Sequence, residues 1–251
     1  MISTPHYLYE TAAAYSDLGP DQLLSHKGLL RLLQEAASVA SDDVGFGLKD
    51  ISRTGVHWIL SSWRVELKER PCWRTSLRIE TWPRTMDGFL SDRDYLVWDG
   101  EREIARGTSR WVLVDAVTGR LTRITGAVRD AYKDQLDDRD LFAGCRPVPG
   151  SGKTPEDAAI AFETTVGRRD IDTNHHVNNL HYLDYGLEAL PEDVWEHLPD
   201  TVEILFRREI RLGARIRCLY SLQKGRHQVE IRSDQSKTPH AFLWFYSRND
   251  T

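Results

Sequence analysis

The sequence predicts an α+β fold of two successive units, each made of one long helix covered by an antiparallel sheet. Both halves of the 251-residue chain show the same order of elements: a strand, a helix with an apolar stripe, and about four further strands. Sequential strands after a single amphipathic helix favour an antiparallel sheet that wraps this helix. The length suits two small domains. We therefore expect a repeat of architecture, with little sequence identity between the halves.

The helix is the clearest element of the first half, which we expect to span residues 1–125. After an opening strand at 6–17, apolar residues recur at helical spacing, namely Leu29, Leu32, Leu33, Ala36, Ala37 and Ala40. Gly45 and Gly47 predict the end of this helix. Residues rich in β-branched and aromatic types, or alternating in polarity, then predict strands within 56–69, 75–82, 89–100 and 103–119.

The second half, residues 159–251, repeats this plan after a predicted linker at 126–158. The linker carries an acidic run and a segment rich in proline and glycine, which predict a short helical piece and an exposed connection. A strand at 160–169 precedes a helical stripe formed by Val177, Leu180, Leu183, Leu187 and Leu190. Pro191 should stop that helix, and four strands follow at 201–210, 214–223, 226–233 and 240–247.

The composition is that of an ordinary soluble protein. The chain is 40% hydrophobic and 28% charged, with a formal net charge of −5, and its mean hydropathy is −0.49. No apolar run approaches the roughly 18 residues that a membrane span needs, and the N-terminus shows no secretion signal. The three cysteines, Cys72, Cys145 and Cys218, have neither disulfide-framework nor zinc-site spacing. We predict a cytoplasmic protein without nucleic-acid or membrane partners.

The polar and titratable residues that best suit catalysis lie at 168–179, just before the second predicted helix. Unpaired N–H groups and the dipole favour negative charge at a helix N-terminus, so the oxyanion of an acyl transfer would be stabilised there. His176 suits proton transfer, Asp172 could orient a neighbour, and Asn174 could present its amide to a carbonyl oxygen. The same residue types also suit a helix cap and a polar turn, and this alternative stays open.

A resemblance to a known family extends over nearly the whole chain except the linker. Residues 170–182 read D-I-D-T-N-H-H-V-N-N-L-H-Y, which resembles the signature D-x-D-x-N-x-H-V-N-N-x-x-Y of the acyl-acyl carrier protein (acyl-ACP) thioesterases. Further resemblances lie at 33–37, at 70–73 with 80–84, and at 204–209. The family resemblance implies two tandem hot-dog units. The first, with Trp58, Trp63 and Trp73, would bind the acyl chain, and the second would carry the catalytic residues.

The resemblance also implies roles for individual residues. Asp172, Asn174, His176 and Glu209 match the catalytic residues of the family. Ile210 stands where the family has a cysteine after the glutamate, so no thiol is present to attack the substrate. The hypothesis is therefore hydrolysis of fatty acyl-ACP by water. Glu209, alone or with His176, would be the general base. Asn174 and helix N–H groups would polarise the carbonyl, and Asp172 would hold its neighbours. No cofactor is expected, and the protein is a monomer or homodimer.

Several alternatives remain. Glu209 could simply pair with Arg207 or Arg211 on the surface. The arginines between 207 and 217 could be a solvated strand face or a docking patch for an acidic partner. Other functions are an acyl-CoA thioesterase or a hydroxyacyl-thioester dehydratase of the hot-dog class, or a non-catalytic acyl-binding protein. A phosphate loop at 150–154 is disfavoured, because Pro147 replaces its first glycine. A metal site at the adjacent histidines is also disfavoured.

Overall fold

The computed structural model describes residues 6–142 and 154–247 and divides the chain into two compact units. Met1–Ser61 and Leu67–Pro147 form the first unit, and Ser62–Glu66 and Val148–Thr251 form the second. The predicted α+β class is confirmed, since each unit joins antiparallel strands to a helix. Cys145 and residues 150–153 of the disfavoured phosphate loop lie outside the described residues.

Among its described residues, the first unit contains three α-helices, four whole strands and the two ends of a fifth. Its elements are β1 (Tyr7–Ala12), α1 (His26–Asp43), α2 (Ile51–Thr54), β2 (Val56–Leu67), β3 (Ser76–Asp87), β4 (Leu90–Asp99), β5 (Arg102–Asp115) and α3 (Gly126–Ala131). The strand order is β1-β3-β4-β5-β2, with antiparallel pairing of β1 with β3, β3 with β4, and β4 with β5. Helix α3 is the short helical piece predicted within 126–158.

Helix α1 follows the predicted stripe closely. Its first turn is capped by Ser25, whose Oγ accepts the Gly28 N–H at 2.9 Å, and the chain turns away at Gly45, which has a φ of 78°. All six apolar residues of the stripe are buried, and the helix packs against β1 and β3. Full burial of a leucine side chain is worth roughly 1.5–3 kcal/mol, so this face holds the helix in the unit.

The second unit repeats the arrangement. Its elements are the middle of β2 (Ser62–Glu66), β6 (Ala159–Thr165), α4 (Asn179–Leu187), α5 (Glu192–Glu196), β7 (Thr201–Phe206), β8 (Arg215–Gln223), β9 (Arg226–Ser233) and β10 (Ala241–Tyr246). The strand order is β2-β7-β10-β9-β8-β6, and all adjacent pairs are antiparallel. Helix α4 packs against β9 and β10.

Helix α4 and strand β7 show most clearly where elements of the second unit are shorter than predicted. Helix α4 begins at Asn179, because the Asn178 side chain accepts the Leu180 N–H at 2.9 Å and so caps the helix after the histidines. Strand β7 ends at Phe206 instead of residue 210. The next two N–H groups, of Arg207 and Arg208, both donate to the His240 carbonyl (2.8 and 3.2 Å), which breaks the regular ladder.

The tryptophans assigned to acyl binding differ in burial. Trp63 is buried and Trp58 is partly buried, whereas Trp73 is 57% exposed. Trp58 donates its indole N–H to the Tyr132 hydroxyl at 3.0 Å and packs against a buried apolar cluster of the first unit. Within the described residues, no helix combines the length and the apolar character that a membrane crossing requires.

We expect Gly28→Ala to lower the free energy of unfolding by about 1–3 kcal/mol, the typical cost of overpacking. A Cβ at this position would lie 2.2 Å from the Asp17 carbonyl oxygen, and Asp17 is itself buried in an ion pair with Arg31. Gly126→Ala is the matched control, because a Cβ there meets nothing within 4 Å. Urea unfolding followed by circular dichroism measures both variants. Equal midpoints would contradict the close approach at Gly28.

Candidate active site

The predicted site residues Asp172, Asn174 and His176 lie in one closed loop, residues 170–178, here named the site loop. The carbonyl of Asp170 accepts the Asn178 N–H at 2.8 Å, and the Asp172 N–H donates to the His176 carbonyl at 2.9 Å. Ile171 and Val177 form an antiparallel bridge between these two bonds. The Asp170 carboxylate also accepts the Gly167 N–H at 2.8 Å. The backbone of the loop is thus fixed at its base.

The tip of the site loop is a turn organised by Asp172. The His175 N–H donates to the Asp172 carbonyl at 3.1 Å, and His175 has a φ of 63°, in the left-handed region that histidine tolerates in turns. The Asp172 carboxylate accepts the backbone N–H of Asn174 at 2.8 Å, as aspartate commonly does in turns. The turn therefore presents the exposed Asn174 side chain to solvent.

The structure brings Asp172 and His176 together. Asp172 Oδ1 lies 3.6 Å from His176 Nδ1, and the two side chains are 17% and 25% exposed. This distance is longer than a hydrogen bond, but it allows an ion pair when the imidazole is protonated. Asp172 thus contacts the main chain of Asn174 and faces the ring of His176.

Glu209 comes from a different part of the second unit and lies beside the site loop. The Val177 N–H, next to His176, donates to the carbonyl of Ile210, next to Glu209, at 2.8 Å. Burial raises the pKa of Tyr182 strongly, and the negative charges of Glu209 and Asp172 raise it further. Both carboxylates therefore lie near the same tyrosine hydroxyl.

The Glu209 side chain is half exposed and pairs with Arg211. Its Oε1 lies 2.5 Å from Nη2 and 2.9 Å from Nε of the guanidinium, and the two side chains are 48% and 74% exposed. This pair is the surface alternative considered from the sequence. An exposed ion pair of this kind contributes only about 0–1 kcal/mol, so the carboxylate can leave Arg211 at little cost.

A cavity of about 320 Å³ is lined in part by Glu209. It is lined by Arg208, Glu209, Ile210, Arg211, Ala214, Ser233, Gln235, Ser236 and His240. Ser233 lies at the end of β9, and His240 lies just before β10. Neither residue was expected near the site from the sequence, because both are far along the chain from the matched signature. Tyr182 was part of the matched signature, but only the fold places its hydroxyl beside the two carboxylates.

The first unit contains a loop with the same backbone bonds. Its residues correspond to those of the site loop at a constant offset of 153 positions (170 minus 17). Leu18 and Leu24 form the equivalent bridge, and Gln22 has a φ of 66°, close to that of His175. The Leu24 N–H donates to the Pro71 carbonyl at 2.8 Å, as Val177 donates to Ile210.

The side chains of this first loop differ from those of the site loop. The positions of Asp172, Asn174 and His176 are taken by Gly19, Asp21 and Leu23. Arg70 precedes Pro71 in the first unit, and so corresponds to Glu209, which precedes Ile210 in the second. The Arg70 guanidinium pairs with Asp21, with Nη1 and Oδ2 2.5 Å apart. Arg70 and Asp21 therefore form an ion pair at the positions that correspond to Glu209 and Asn174.

The arginines near the site are mostly paired on the surface. Arg215 and Arg217 lie 3.7 and 2.8 Å from the carboxylate of Glu163, on the solvated strand face considered from the sequence. Arg207 and Arg208 are exposed. Among residues 6–142 and 154–247, no group of three or more histidine, cysteine, aspartate or glutamate side chains is arranged to hold a metal ion.

Comparisons with known proteins agree with the resemblance seen in the sequence. The family model described as the acyl-ACP thioesterase N-terminal domain matches residues 7–132, and that of the C-terminal domain matches residues 153–241. The chloroplastic oleoyl-ACP thioesterase 2 of Arabidopsis thaliana is 29% identical over 217 residues, which are 77% of this chain and 56% of that protein. The chloroplastic dodecanoyl-ACP hydrolase of Cinnamomum camphora is 28% identical over 231 residues, or 86% of this chain and 59% of that protein. The chain thus spans little more than half the length of these relatives.

Solved structures share the fold along the whole chain. An acyl-ACP thioesterase from Bacteroides thetaiotaomicron superposes with a TM-score of 0.81 at 20% identity, covering 96% of this chain and 97% of that one. The 12:0-ACP thioesterase from Umbellularia californica gives 0.81 at 21% identity, with 98% of both chains covered. These matches confirm the tandem hot-dog fold predicted from the sequence. The chain belongs to the acyl-ACP thioesterase family.

Proposed function

We propose that this protein hydrolyses fatty acyl-ACP thioesters to a free fatty acid and the carrier thiol. Family membership supports the reaction class. The observation that carries the assignment to these residues is the bond between the Val177 N–H and the Ile210 carbonyl, which joins the backbone segments that carry His176 and Glu209. The named relatives from Arabidopsis and Cinnamomum act on acyl-ACP, and the same substrate class is proposed here.

In the proposed mechanism, water is the nucleophile. Glu209 takes a proton from a water molecule as its oxygen attacks the thioester carbonyl carbon, and the carbonyl becomes an oxyanion. The exposed amide of Asn174 donates to this oxyanion. The C–S bond then breaks as the carbonyl re-forms, and the leaving sulfur takes up a proton from His176 or from the protonated Glu209. Asp172 faces the imidazole and stabilises its charged form, as their 3.6 Å separation allows.

Two features of the structure support Glu209 as the base. Its ion pair with Arg211 is exposed and weak, so the carboxylate is free to rotate toward the site loop. The ion pair of Arg70 with Asp21 in the first unit also supports this role. These two residues occupy the positions that correspond to Glu209 and Asn174 in the second unit.

Carbonyl polarisation is assigned mainly to Asn174. At the N-terminus of α4, the Leu180 N–H already donates to the capping side chain of Asn178, so this N–H group is not available to the thioester carbonyl.

The remaining parts of the proposal concern the partner, the acyl chain and the location. The exposed Arg207 and Arg208 flank Glu209 and suit an acidic carrier protein. We assign acyl-chain binding to the first unit and catalysis to the second. The free thiols of Cys72 and Cys218 fit a reducing cytoplasm.

We expect Glu209→Gln to lower kcat by about 10²–10⁴-fold, the usual contribution of a general base. The measurement is thiol release from a panel of acyl-ACP and acyl-CoA thioesters, with acyl-ACP as the better substrate. A double variant with His176→Ala should show no turnover. Glu163→Gln is the matched control, because Glu163 is another partly exposed glutamate paired with arginine in the same unit, and it should retain full activity.

The outcomes separate the alternatives. Normal turnover by Glu209→Gln would reject its role as the base. Preference for acyl-CoA would replace the proposed carrier by coenzyme A. Saturable binding of acyl-thioesters without turnover by the unaltered protein would favour a non-catalytic acyl-binding protein.

We expect Ile210→Cys to change kcat by less than about threefold. The Ile210 side chain is only 1% exposed, and burial at Cys218 in the same unit raises the pKa of that thiol to about 12. A thiol at residue 210 would likewise stay protonated and unreactive. Turnover before and after treatment with iodoacetamide tests this. A large gain in activity that alkylation abolishes would show that a cysteine at this position acts as nucleophile.

A further inference from the structure

The carbonyl of Arg208, in the peptide that leads into Glu209, accepts hydrogen bonds from two side chains of different elements. The Tyr182 hydroxyl of α4 donates to it at 3.2 Å, and His240 Nδ1, from the segment before β10, lies 3.3 Å away. Both side chains are buried. Two convergent donors on one loop carbonyl fix the plane of that peptide, because rotating it would leave buried polar groups unpaired.

His240 is well suited to hold this segment. Besides its ring contact, its own carbonyl accepts the N–H groups of Arg207 and Arg208. Its Nε2 lies 2.8 Å from the Ser233 hydroxyl. Burial lowers the pKa of His240, so the ring is neutral near pH 7. The Ser233 hydroxyl then donates to Nε2, and Nδ1–H is directed at the Arg208 carbonyl.

Tyr182 approaches the same carbonyl from the helix. Its ring packs edge-on against Phe206, with ring centroids 5.3 Å apart. Burial is the main cause of its raised pKa, which keeps the hydroxyl protonated and therefore able to donate. The ring position and the protonation state together make Tyr182 a fixed donor.

We propose that Tyr182 and His240 are positioning residues that hold the Arg208 carbonyl and thereby aim the Glu209 side chain at the substrate. Residues 207–213 lie outside the strands, so no sheet ladder fixes this backbone. The Arg208 carbonyl is held on one side of Glu209, and the Ile210 carbonyl is held by Val177 on the other. The inference rests on the proposed role of Glu209 as the base.

Tyr182→Phe and His240→Leu test the proposal in the assay with acyl-ACP. Each should lower kcat by about 10–100-fold with KM within about twofold, since a displacement of 1 Å can cost about 10² in rate. The phenylalanine variant keeps the ring packing and is expected to fold. His240→Asn should retain most of the turnover, because its amide nitrogen can replace Nδ1 as the donor to Arg208.

The matched controls come from a second tyrosine–histidine pair in the same unit. The Tyr220 hydroxyl lies 2.9 Å from His227 Nδ1, and burial lowers the pKa of His227 as it does that of His240. Tyr220→Phe and His227→Leu thus remove similar groups away from Glu209, and kcat should stay within about twofold of the unaltered protein. Unfolding midpoints are measured for all five variants.

A double-variant comparison shows whether the effect passes through Glu209. With Glu209→Gln already present, Tyr182→Phe should cause no further loss, because no base remains to be aimed. A further tenfold loss in the double variant would overturn the positioning role. The role would also be overturned if Tyr182→Phe and His240→Leu kept kcat within about twofold of the unaltered protein while Glu209→Gln is inactive. Full activity of Glu209→Gln would instead reject the proposed base, and the inference with it.

Discussion

The hydrogen bond from the Val177 N–H to the Ile210 carbonyl is the contact on which the candidate site depends. It joins two segments that are 33 positions apart (210 minus 177), and these segments carry the neighbouring residues His176 and Glu209. The bonds inside the site loop make it a rigid support for this contact, since its base is closed by Asp170 and Asn178. Groups held in this way lose little further freedom when they act on a substrate.

The two units show how one backbone pattern serves two purposes. Both loops have an antiparallel bridge and a residue with positive φ at equivalent positions. In both, a backbone N–H donates to the carbonyl of a later segment, at Pro71 in the first unit and at Ile210 in the second. In the first unit Arg70 and Asp21 fill the equivalent place with an ion pair. In the second unit Asn174 is exposed and Glu209 pairs only weakly with Arg211. The chemical difference therefore arises from a few side chains on a repeated scaffold.

Burial separates the supporting groups near the site from the proposed base. Ile210 faces the interior, whereas its neighbour Glu209 is half exposed. Tyr182 and His240 are buried donors whose protonation states are set by their surroundings. A rigid, buried support beneath an accessible carboxylate is the arrangement that general-base catalysis requires, because the base must be both well aimed and able to meet water.

The sequence by itself determined the elements whose signals are local. The apolar stripe, with Gly45 after it, was enough to predict α1, and the residue types of 170–182 were enough to predict a polar loop before a helix. Only the tertiary structure decided where β7 ends, that Trp73 is exposed, and that Tyr182 and His240 meet at one carbonyl. Periodicity, caps and turns depend on residues a few positions apart, whereas these contacts depend on strand register and helix packing, which join distant parts of the chain and leave no mark in any short stretch of sequence.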